Sequence, residues 1–152
     1  MTRTFSNLDA LEACVGLDVA RSGWVTLDQA RIDAFAELTG DRQWIHLDAE
    51  RCATESPYRT TIAHGFLTLS LLASMFGEAI ALESARHVVN YGFERVRFLS
   101  PVVVGSSIRA SFVLAALARN GQTARATWDV NVEIRDFAKP ALAAVWISQI
   151  YE

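Results

Sequence analysis

The segment AHGFLTLSLLASMFGEAIAL, residues 63–82, constrains this chain more than any other. Its apolar residues fall on nearly every face of a helix, so that helix has to be surrounded by protein. The span Phe66 to Leu82 also carries Thr68, Ser70, Ser74 and Glu78, and it is shorter than the roughly 20 apolar residues that cross a bilayer. It belongs to a core, and the rest of the chain must supply the cover.

The cover is legible after residue 85. HVVNYGFERVRFL runs extended up to Ser100-Pro101. SSIRASFVLAALA alternates, with Ile108, Ala110, Phe112 and Leu114 inward against Arg109 and Ser111. Asn120-Gly121 is a strong hairpin signal. TWDVNVEIR then sets Trp128, Val130, Val132 and Ile134 against Asp129, Asn131, Glu133 and Arg135. ALAAVWISQIY is apolar on both faces, as a central strand is. The first half reads mainly as helices: SNLDALEACVG capped by Ser6, a short strand in SGWVTLD, and QARIDAFAELTG between an Asp28 N-cap and a Gly40 C-cap. Residues 41–61 read mostly as loop, with a helical turn near residues 48–53. Helices first and antiparallel strands after make an α+β plan, one long helix wrapped by one curved sheet. A chain of 152 residues with 51% hydrophobic content suits one domain, residues 1–152.

Charge and composition narrow the functional classes. A net charge of −3 with no Lys/Arg run gives no footprint for nucleic acid or a membrane surface. The N-terminus carries Asp9 and Glu12 and has no apolar core of a secretory signal. Cys14 and Cys52 stand in no metal or redox spacing. A soluble, cytoplasmic protein with no metal site is expected.

Two places carry candidate chemistry. In GDRQWIHLDAER, residues 40–51, Asp41 and His46 lie five positions apart with Trp44 between them. An Asp–His pair can hold a water and move its proton. The second place is TIAHGFLTLS, where Gly65 opens the long helix. The first N–H groups of a helix lack internal partners, and a glycine lets a ligand oxygen approach them. Any side chain at residue 65 is expected to crowd such a ligand. His64 is either a further proton carrier or a packed, capping residue. Gly92, inside NYGFERVRF, implies a bulge or a close approach, and Arg95 and Arg97 beside it could meet phosphates or simply face solvent.

FAELTGDRQWIHLDAERC followed by TTIAHGFLTLSLL resembles the MaoC-like (R)-specific enoyl-CoA hydratases, and most of all their nodulation-protein-N-like branch. NYGFERVRFLSPVVVGSSIRA resembles the same branch, and the similarity runs from about Leu17 to Tyr151. The resemblance implies a hot-dog fold and a homodimer whose sheets join edge to edge. It implies reversible syn addition of water to a trans-2-enoyl thioester, carried by CoA or by acyl carrier protein, to give the (R)-3-hydroxyacyl product. Asp41 and His46 match the catalytic pair, and the Gly65 N–H matches the donor to the thioester oxygen. His64, Trp44 and Gly92 are candidate substrate contacts. The CoA thioester is substrate, and no cofactor is expected. Two departures stand out. Gln43 and Trp44 replace the commoner Asn-Pro, and Ala73 falls where some members carry a helical serine, with Ser70 and Ser74 nearby. A hot-dog thioesterase and a non-catalytic acyl-thioester binder are the alternatives.

Overall fold

The computed structural model describes residues 2–152. The chain opens with β1 (Arg3–Phe5) and α1 (Leu8–Glu12), then β2 (Asp18–Arg21), β3 (Val25–Thr26) and α2 (Gln29–Thr39). Two short helices follow, α3 (Trp44–Leu47) and α4 (Ala49–Glu55), and then the central pair α5 (Gly65–Ser70) and α6 (Leu72–Ala79). The remainder is β4 (Ile80–Leu82), β5 (His87–Phe98), β6 (Ser107–Asn120), β7 (Thr123–Ile134) and β8 (Leu142–Tyr151). The main sheet is antiparallel in the order β2-β6-β7-β8-β5, with β3 also on β6. This is the hot-dog arrangement, a helix held against a curved sheet. No helix among the described residues is long and apolar enough to cross a membrane.

The period-two pattern orients the sheet. Ile108, Ala110, Phe112 and Leu114 of β6 and Trp128, Val130 and Val132 of β7 are buried, while Arg109, Asp129, Asn131 and Glu133 lie on the other face. β8 lies between β7 and β5, the central place that its composition implies. Phe76 of α6 sets its ring edge-on to Phe112, Trp128 and Trp146, at 5.3, 5.0 and 5.1 Å between centroids. Each such pair adds about 0.5–1.5 kcal/mol beyond its buried area. Trp128 Nε1 donates to Ser148 Oγ at 2.9 Å, which satisfies the one polar atom of the largest core side chain. Bulges between Asn90 and Gly92, between Phe93 and Arg95, and between Leu114 and Ala116 bend the long strands around the helix. Gly92, at φ +156°, occupies the first of them, as its place in an extended run implied.

Several local expectations need correction. Asn7, not Ser6, caps α1, accepting from the Ala10 N–H. β1 and β2 give too few alternating positions to be read from sequence. The helical turn expected near residues 48–53 is α4, and α3 (Trp44–Leu47) is a further helix where loop was expected. The central helix stops at Ala79, because Ile80–Leu82 pairs in parallel with Arg3–Phe5. Nor is that helix enclosed on all sides. Leu67, Leu72, Met75 and Ala79 are buried, but Phe66, Ser70, Ala73 and Gly77 form an exposed stripe at helical spacing, with Phe66 at 68%. One sheet covers one side of a helix, and Ser70, Ala73 and Gly77 are small enough to leave the other side open.

Candidate functional site

His46 is placed by hydrogen bonds to a neighbouring short strand and to α2. Thr61 to Ala63 run extended against residues 102–104, through Ala63 N–H to Val102 O at 2.8 Å and Val104 N–H to Thr61 O at 3.0 Å. The same short strand takes hold of α3: Ile62 N–H donates to Ile45 O at 3.1 Å, and the His46 ring meets Ile62 O through Nδ1 at 2.7 Å. Gln29, in the first turn of α2, donates to His46 O at 2.8 Å and accepts from Thr61 Oγ1 at 2.6 Å. A carbonyl only accepts, so Nδ1 carries the hydrogen and Nε2 of the neutral ring presents a lone pair. Burial is the main influence on this imidazole and pushes its pKa below the ordinary value; the Ile62 bond and Asp41 oppose that, and His64 adds to it.

Asp41 follows the left-handed C-cap Gly40, whose φ of 77° lets the chain leave α2 sharply. Its N–H reaches Thr39 Oγ1 at 3.3 Å, and its carbonyl oxygen accepts from His64 Nε2 at 2.9 Å. The Asp41 side chain is exposed, whereas His46 and His64 are buried at 6% and 2% exposure. One donor atom from each of the three lies within 4.8 Å of the others. That spacing suits a metal ion and equally suits the passing of a proton. The His46 and His64 rings stack with centroids 3.7 Å apart and 25° between planes. Each ring has one nitrogen facing a carbonyl.

His46 and Gly65 line one hollow of about 380 Å³, with Tyr58, Ile62, Thr68, Phe98, Ser100 and Pro101 among its walls. Gly65 is the first residue of α5, so its N–H has no partner within the helix. The helical run continues through Leu71, itself in the right-handed helical region, into α6. A Cβ at residue 65 would stand 3.0 Å from Cδ1 and Cε1 of Phe98, so the protein group that a side chain there meets first is the Phe98 ring. Asp41 and His64 are not among the walls of this hollow, and neither are the other sequence candidates. Trp44 begins α3 beneath the Arg51 guanidinium, 4.2 Å from its ring centre, and is not among the walls of the hollow. Gly92 is absent from those walls too, and Arg95 and Arg97 are exposed on β5. A second hollow of about 320 Å³ runs beside α5 and α6, lined by Phe35, Leu69, Ser70, Ala73, Phe93 and Trp146 among others. The hydroxyls near Ala73 are committed to the helix itself: Ser70 Oγ donates to Leu67 O and Ser74 Oγ to Leu71 O, each at 2.9 Å. Sequence reasoning missed Gln29, Phe98 and the Ile62 carbonyl. The first two have no local signature, and a main-chain atom has none in any sequence.

A family model described as MaoC like domain matches residues 11–134. Nodulation protein N of Rhizobium leguminosarum bv. viciae is 46% identical over 138 residues, 90% of this chain and 86% of that protein. A protein named 3-hydroxyacyl-thioester dehydratase Z, from Mycobacterium tuberculosis, is 43% identical over 143 residues, 93% of this chain and 94% of its own length. A solved structure described as the (R)-hydratase from A. caviae involved in PHA biosynthesis superposes with a TM-score of 0.71 at 26% identity, covering 88% of this chain and 94% of that one. With a family match over most of its length and relatives alike from end to end, this chain belongs to the MaoC-like domain family.

Proposed function

We propose that the protein is an (R)-specific enoyl thioester hydratase, adding water reversibly to a trans-2-enoyl-CoA, or to the same acyl group on a carrier protein. The observation that carries this reading is the 2.7 Å contact between His46 Nδ1 and Ile62 O, from which the tautomer follows. Its Nδ1–H is spent on Ile62 O, which leaves Nε2 as a proton acceptor in a buried ring on the wall of a hollow. The Asp41 carboxylate lies close enough for one water to touch both groups. Hydroxide equivalent adds to C3 while the pair takes the water's proton. The electrons pass through C2 to the thioester oxygen, and the pair returns a proton to C2 on the same face. The Gly65 N–H, at the positive end of the helical run, donates to the oxygen that gains charge. General acid–base transfer of this kind contributes about 10²–10⁴ in rate. The dehydratase and hydratase names of the relatives support the same chemistry.

The proposed assembly is a homodimer in the cytoplasm. β5 is a 12-residue edge strand with Val88, Val89 and Tyr91 exposed, and the open stripe of α5 and α6 is a second uncovered surface. The test is loss of the enoyl absorbance of crotonyl-CoA and longer enoyl-CoAs, with chiral analysis of the product. An (R)-3-hydroxyacyl thioester is expected, and an (S) product or no turnover sinks the assignment.

A further inference from the structure

The proposed hydration uses Asp41, His46 and Gly65 and leaves His64 without a task, although its ring is buried between the other two catalytic candidates. Its Nε2 faces the Asp41 carbonyl at 2.9 Å, so that nitrogen carries a hydrogen and donates it. Nδ1 is buried with no hydrogen-bond partner among the described residues. One face of the ring stacks on His46, centroids 3.7 Å apart, and Phe35 packs against it at 5.1 Å, tilted by 53°. Leaving a buried acceptor unpaired costs about 1–3 kcal/mol, so the ring is held here by its other contacts.

We propose that His64 is a positioning residue for the acid–base pair: its Nε2–H anchors the main chain of Asp41, and its face holds the His46 ring with Nε2 turned to the water. The inference rests on the hydratase reading for its purpose. Asp41 needs the anchor because it is exposed and follows a left-handed turn, and its N–H bond to Thr39 Oγ1 is long at 3.3 Å. His46 needs the wall because a single bond to Ile62 O fixes one point of the ring and leaves rotation about that axis open. The stack has an electrostatic consequence as well. His64 disfavours a charge on His46, in the same direction as burial, and so helps the base to enter the reaction uncharged. The titratable groups that face His46 are Asp41 on the loop after α2, His64 at the entry to α5, and the Tyr58 hydroxyl across the hollow. Burial remains the main influence on the ring, and removing His64 takes away the one neighbouring charge that adds to it, leaving the Ile62 bond and Asp41 in opposition.

The chain has three histidines, which makes the ring nitrogens separable by NMR of the wild-type protein once His87 is assigned through His87→Gln. His64 is expected as the Nε2–H form and His46 as the Nδ1–H form at neutral pH; a hydrogen on His64 Nδ1 instead would overturn the anchor. Two variants read the consequence. His64→Phe keeps a ring against His46 and removes the donor, and kcat should fall by up to about 10²-fold through misplacement of Asp41 while KM changes little. His64→Gln restores a donor to the Asp41 carbonyl and should recover kcat relative to His64→Phe. In both, the acid limb of the pH–rate profile should move to higher pH. Wild-type kcat in folded His64→Phe, or lowered kcat with an unmoved limb in both variants, would reduce His64 to packing. Should His64→Phe fail to fold, His64→Gln decides alone: a shifted limb supports the proposal and an unshifted one defeats it. If the wild-type protein hydrates no enoyl thioester yet shows the expected tautomers, the hydratase reading falls and the anchor stands.

Discussion

His46→Gln tests the acid–base reading at its centre. Glutamine offers an amide N–H to Ile62 O and an oxygen to the water, so it keeps the hydrogen-bonding character of the site but takes no proton. The expected loss is therefore in kcat, by about 10²–10⁴, which at about 1.36 kcal/mol per tenfold is roughly 3–5 kcal/mol of barrier. KM should stay near its wild-type value, because glutamine fills a similar part of the wall and the Gly65 N–H and the other walls of the hollow are untouched. The same substitution has a signature in stability. Burial chiefly, and His64 after it, hold the His46 pKa below the unfolded value of about 6.5, with the Ile62 bond and Asp41 in partial opposition. As pH falls through 6.5 the unfolded chain takes up this proton first, so the wild-type protein loses stability from there down to the folded pKa. The slope is at most about 1.4 kcal/mol per pH unit for one group, and the loss stops once both states are protonated. His46→Gln lacks this component and should be less sensitive to acid across that window. Urea unfolding at pH 7, 6 and 5 beside crotonyl-CoA hydration would measure both. Wild-type turnover in the folded variant removes His46 from the chemistry, and identical pH dependence of stability in the two proteins removes the buried, neutral imidazole.

Asp41→Asn should cost a similar factor of about 10²–10⁴ in kcat, and the double variant with His46→Gln should lose little more than either alone, since both handle one water; multiplicative losses in steady-state assays would separate the two residues. Gly65→Val should slow hydration and dehydration alike by about 10²–10³ if its N–H serves the thioester oxygen. Because Phe98 is the first obstacle, Gly65→Val combined with Phe98→Ala distinguishes a displaced ring from a blocked donor: recovery of rate in the pair would assign the loss to Phe98. Sedimentation should find a dimer at micromolar concentration that Val89→Lys weakens on the β5 edge, and a wild-type protein that stays monomeric there would refute the assembly.

The sheet was readable because period-two burial leaves a direct mark in β6 and β7, and the Asn120-Gly121 turn fixed where one strand gives way to the next. The long helix was readable from composition, but its open face was not. Sequence shows which residues can be buried and not how many surfaces are present to bury them. Asp41, His46 and Gly65 stood out as residue types at suggestive spacing, and the resemblance singled out the same three. What orients the His46 ring in the structure is the carbonyl of Ile62, held by pairing between residues 61–63 and 102–104 that are about 40 positions apart. No side-chain pattern reports a main-chain acceptor. Trp44 and Gly92 were attractive for their chemistry alone, and neither is among the walls of the hollow, which Asp41 and His64 do not line either.

The arrangement also explains why the pair sits beside the start of the central helix. His64 is the N-cap of α5 and Gly65 its first residue, so one junction positions the ring that braces His46 and the N–H that faces the hollow. The helix itself is fixed from behind by Met75 and Phe76 in the aromatic core. Asp41 hangs from the same junction through the His64 bond, although it belongs to the end of α2. Relative motion of α2 and α5 would therefore disturb both the Asp41 carbonyl held by His64 and the His46 carbonyl held by Gln29 of α2, and with them the placing of the pair. A substitution that loosens α2 without touching the site, such as Ile32→Ala at a fully buried position, should then lower kcat more than it raises KM. If KM rises while kcat holds, the hollow and not the pair depends on α2, and the shared junction has no mechanical role.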